Sequence, residues 1–103
     1  MDLFLRKVDH PQARDNYRVI LKDDAGDVEI GSIGVKDFTG AEVGWTWGID
    51  TVIPMREMES EGRGSDRADC MRRFKAAWLA FAADPARLTE FLQAKRRARR
   101  PWH

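Results

Sequence analysis

The chain holds 103 residues, enough for one small domain and too few for two, since independent cores usually need about 100 residues or more. Hydrophobic residues make up 43% and charged residues 34%, which excludes a disordered chain and leaves room for a compact core. The net charge of +1 hides a polarity: residues 1–64 carry 8 basic and 13 acidic side chains, a net of −5, while residues 65–103 carry 10 and 4, a net of +6.

Leu3-Phe4-Leu5 opens the chain either as an edge strand or as a frayed end. Tyr17 to Lys22 alternates, with Tyr17, Val19 and Leu21 on one side and Arg18 and Lys22 on the other, and predicts a strand. Asp23 to Asp27 supplies a turn, with Gly26 able to take a positive φ, so a hairpin follows. Val28 to Val35 predicts the second strand; Gly31 and Gly34 mark a bulge or a close approach over the backbone. From Glu42 to Asp50 the alternation is clearest. Val43, Trp45, Trp47 and Ile49 face the core, and Gly44, Thr46 and Gly48 leave a smooth opposite face.

Residues 51–64, with Pro54, Glu57, Glu59, Glu61, Gly62 and Gly64, predict a mobile acidic loop pinned by Met55 and Met58. Ser65 is the expected N-cap of a helix over about 65–83, whose stripe of Cys70, Met71, Phe74, Ala77, Trp78 and Phe81 packs on the tryptophan face. Asp84-Pro85 starts a second helix, about 85–100, with Leu88, Phe91 and Leu92 as its apolar patch. The expectation is one α+β domain over 1–103: a three-stranded antiparallel sheet within about 15–50, an amphipathic helix upon it, and a basic C-terminal helix.

Asp15-x-Tyr17-x-Val19, Gly31-x-Ile33, Trp45-x-Trp47 and Phe74-Lys75-Ala76-Ala77-Trp78 together resemble a group of short bacterial proteins of unknown function. The resemblance spans about residues 15–78 and implies three strands leading into one amphipathic helix, with no activity to carry over. Cys70 departs from the alanine usual in that group four positions before the phenylalanine.

The chemistry-bearing residues are few. Cys70 is the only cysteine, so no disulfide closes within the chain, and a reducing, cytoplasmic setting is expected. The start of the chain is too short and charged for a signal peptide, and no apolar run approaches the roughly 20 residues that span a bilayer, so no membrane role is expected. His10, His103 and Cys70 fall short of the roughly four ligands of a structural zinc site. Glu57, Glu59 and Glu61 lack the ligand pattern of a calcium loop. There is no phosphate-binding loop and no nucleophile elbow. An enzyme, a cofactor and a metal are therefore not expected.

Lys95, Arg96, Arg97, Arg99 and Arg100 put five cations within six residues, a pattern that suits nucleic acid or an acidic partner but, without interleaved aromatics, is more simply a solvated helix end. The acidic and basic ends could also join copies of the chain. A sheet backed by a helix looks like the DNA-binding arm domains of some phage-type integrases, yet the outward set mixes Arg18, Lys22 and Thr46 with Glu29, Gly44 and Gly48. The strand tryptophans are expected in the core rather than stacking bases, and Cys70 is expected as an inert buried thiol. The sequence thus points to a noncatalytic module acting by protein contact, with nucleic-acid binding through the basic helix as the alternative.

Overall fold

The computed structural model describes residues 2–9, 15–38, 42–55 and 58–98, with residues 37, 38 and 42 described as backbone only. One antiparallel sheet holds five strands in chain order: β1 (Leu3–Lys7), β2 (Asn16–Leu21), β3 (Val28–Phe38), β4 (Glu42–Ile49) and β5 (Glu61–Gly64). Helices α1 (Arg67–Ala82) and α2 (Pro85–Ala98) follow. The α+β class is as expected, whereas the strand count is five instead of three.

Both additional strands lie at the edges. β1 forms because its alternation places Leu3 opposite Leu21 and Leu5 opposite Val19, on the side where β2 buries its own apolar residues. β5 arises within the segment expected to be a loop, with Gly62 opposite Trp47 and Gly64 opposite Trp45. Glu-Gly-Arg-Gly has little intrinsic strand preference, so its conformation is a product of the ladder to β4.

In the centre, β2 and β3 change register so that Val19 faces Gly31 while Ile20 faces Glu29, which leaves Ile30 as the extra residue of a bulge. Val28, Ile30 and Ile33 all reach the core as a result. Gly31 is also a point of close approach: a Cβ there would collide with the Phe74 ring. The bulge and the packing over the backbone, two readings of one glycine, are both present.

The expected stripe of α1 covers the face that carries Trp47 and Ile49. Cys70, Phe74, Trp78 and Phe81 are buried there, with Met71 and Ala77 half-buried. Val43, expected on the same face, is instead 62% exposed, because it lies beyond the last β4–β5 pair, Trp45 with Gly64. The start of α1 differs by one residue from expectation. Asp66, not Ser65, is the cap, its carboxylate accepting the Asp69 N–H at 2.7 Å, while the Asp69 carboxylate accepts the Ser65 N–H at 2.8 Å. Asp84 caps α2 as expected, accepting the N–H groups of Ala86 and Arg87. Phe91 closes an aromatic cluster with Trp78 at 5.2 Å and Phe81 at 5.6 Å, and each such fully buried ring contributes about 2–3 kcal/mol. Met55 and Met58 pack against this core, as their place in the 51–64 segment predicts.

Candidate functional site

The basic end of α2 is the most conspicuous sequence feature, and its first two cations are held within the fold. Lys95, only 13% exposed, donates to Asp50 just beyond β4, and Arg18 on β2 donates to the same carboxylate. Arg18 also approaches Glu29 at 3.4 Å, and Glu29 pairs in turn with Arg6 on β1. Arg96 reaches back to Asp23 in the β2–β3 turn. Burial alone would push the Asp50 carboxyl up, but the hydrogen bonds and charges of Arg18 and Lys95 outweigh it and hold the group below the usual carboxylate value. Arg97 is exposed; Arg99 and Arg100, like His10, Glu57 and His103, lie outside the described residues.

The acidic and basic halves therefore meet inside one chain. Lys95 and Arg96 anchor α2 to the sheet, and the acids they face, Asp50 and Asp23, are already engaged within the same molecule. Arg18 is likewise committed to Asp50 and Glu29, which leaves the outward sheet face with charge of both signs.

The tryptophan and cysteine candidates resolve toward the core, while Glu59 and Glu61 stay exposed. Trp47 is 6% exposed and meets Phe74 edge-on at 6.2 Å, while Trp45 is half-buried. Cys70 is fully buried, and burial together with the adjacent Asp69 charge pushes its thiol pKa up, away from the reactive thiolate.

A surface that the sequence does not single out lies at the β5 edge. The Ile49 N–H donates to the Ser60 carbonyl at 2.7 Å across β4 and the approach to β5. Main-chain groups alternate in an antiparallel ladder, so Ser60, Gly62 and Gly64 turn toward β4 while Glu61 and Arg63 direct their N–H and C=O groups to the outer edge of the sheet. Beside this edge a groove of about 590 Å³ separates β5 from α1. Trp47 and Gly62 form its floor, Ala76 and Ala80 its helical wall, and Glu61 and Arg73 its rim. Gly62 lets the floor pack closely: a Cβ would lie 3.0 Å from the Trp47 indole nitrogen, so the ring would have to shift by a few tenths of an ångström to admit one. That nitrogen is buried with no hydrogen-bond partner among the described residues. The signal for this strand is the two-residue alternation of charge and glycine in Glu61-Gly62-Arg63-Gly64, whose small side faces the large tryptophans.

No helix among the described residues is long and apolar enough to cross a membrane. No family model, curated protein or solved structure matches the chain, so the reading of its surface rests on geometry.

Proposed function

We propose that the protein is a noncatalytic binding module that acts by protein–protein contact, using the outer edge of β5 and the groove between β5 and α1. The observation that supports this is the coincidence of outward-directed main-chain groups at Glu61 and Arg63 with a concave, alanine-walled groove floored by Trp47. Extended segments add to sheets at such edges, where main-chain hydrogen bonds supply affinity and the adjoining pocket supplies selectivity. Nucleic-acid binding through Lys95, Arg96, Arg97, Arg99 and Arg100 has less support, because two of the five are paired with carboxylates of the sheet half.

The test uses random-sequence peptides selected by phage display on the intact chain, titrated against the ¹⁵N-labelled protein. Binding should move the amide resonances of Glu61, Arg63, Ala76 and Ala80, slow exchange at the Glu61 and Arg63 amides, and disappear when Ala80→Trp fills the groove. Resonance shifts confined to the end of α2, or binding indifferent to Ala80→Trp, would overturn the assignment. DNA or RNA affinity that falls steeply with salt, and whose slope flattens when Arg96, Arg97, Arg99 and Arg100 become Ala, would favour the nucleic-acid alternative.

A further inference from the structure

We infer that the partner that fits the β5 edge is β5 of a second copy of this chain, paired antiparallel about a two-fold axis at Gly62. The inference rests on the reading of this edge as a contact surface and adds the identity of the occupant.

Two constraints select this arrangement. The first is hydrogen-bond parity. Since only Glu61 and Arg63 of β5 turn their main-chain groups outward, a symmetric antiparallel pair must place outward residues opposite outward residues, which restricts the axis to Glu61, Gly62 or Arg63. The second is charge. An axis at Glu61 sets two glutamates face to face, and an axis at Arg63 sets two arginines face to face. An axis at Gly62 places Glu61 opposite the second copy's Arg63, and Arg63 opposite the second copy's Glu61. Opposite charges directly across a strand pair stabilise it, and like charges destabilise it.

The geometry at the axis agrees. Gly62 would meet its own counterpart as the non-hydrogen-bonded pair, where the two backbones approach most closely and side chains crowd most. Glu61 and Arg63 are both exposed and share one face of β5, opposite the side on which Gly62 meets Trp47. The other edge of the sheet differs in kind. β1 carries Arg6 and Lys7 and no acid, so no register of β1 against itself pairs opposite charges. Edges with unbalanced lysine and arginine are those that proteins protect from pairing.

Sedimentation equilibrium of the full chain over a wide concentration range provides the test, with circular dichroism checking that each variant is folded. Wild type should form a reversible dimer. Glu61→Arg and Arg63→Glu, each introducing two like-charge pairs about the axis, should each weaken dimerisation about tenfold or more. Mixing the two variants should restore a dimer, because both arginines of the E61R strand then face the two glutamates of the R63E strand. The double variant E61R/R63E should dimerise like wild type. Single variants that dimerise as wild type does, or a mixture that fails to associate, would overturn the register. A wild-type chain that stays monomeric while selected peptides still move the Glu61 and Arg63 resonances overturns self-pairing alone. A chain that is both monomeric and silent to peptides overturns the contact surface as well.

Discussion

The two helices are attached by different physics. α1 lies directly on the sheet, with Phe74 set against Gly31 and Trp47, and Cys70 and Trp78 wholly buried. α2 touches the core mainly through Phe91 and is then tied down at its C-terminal end by Lys95 to Asp50 and Arg96 to Asp23. Apolar burial holds a helix with little regard to salt or moderate pH, whereas partly exposed ion pairs weaken as ionic strength rises or their carboxylates protonate. The domain therefore has one helix fixed by composition and one whose attachment depends on conditions.

The largest effect that separates them should come from Phe74→Ala, which empties the seat of α1. A loss of about 3–5 kcal/mol in urea unfolding is expected, with no salt dependence beyond that of wild type. Asp50→Asn should cost about 1–2 kcal/mol by leaving Lys95 and Arg18 short of a charge partner. Added salt should destabilise wild type more than this variant, and α2 amides should exchange faster. Equal salt sensitivity in the two proteins would remove the distinction between the helices.

Acid limits the comparison, since a depressed carboxylate stands at the start of α1 as well as beneath α2. The Ser65 N–H, followed by Arg73, holds Asp69 at about 2 instead of 3.8. A carboxyl depressed in the folded state binds its proton more readily when unfolded, so its stabilisation is complete above about pH 4 and fades as pH falls toward 2. Asp69→Asn should flatten that part of the stability profile. Asp50, also held low, should release α2 over the same acid limb, visible as α2 exchange preceding global unfolding. The smallest effect belongs to Arg97→Ala. Exposed on α2, it should change stability by less than about 0.5 kcal/mol, in contrast to Lys95→Ala nearby.

Much of this fold is legible without the structure. The alternation through Trp45, Trp47 and Ile49, the stripe from Cys70 to Phe81 and the Asp84-Pro85 start are local periodicities and caps, and they appear at the expected places, whereas Val43 at the start of the same alternation is exposed. Gly31 announces both the bulge and the ring above it. The candidate site is far less legible. The cationic run reads as a surface because a sequence shows the number of charges but not what faces them. Asp50 lies 45 residues from Lys95 and Asp23 lies 73 from Arg96. The edge that directs main chain outward reads as a loop, because two glycines in four residues remove the propensity on which a strand prediction depends.

By itself, then, the sequence determined the α+β class, the tryptophan face, the helix that covers it and the acidic and basic halves of the chain. These follow from side-chain periodicity and capping, which act over a few residues. Only the tertiary structure decided that the sheet has five strands, that cations of the basic half pair with acids of the other within one chain, and that Glu61 and Arg63 form the sheet's outer edge. A ladder and an ion pair both require groups from distant segments to meet, and their positions are set by the packing of the core between them.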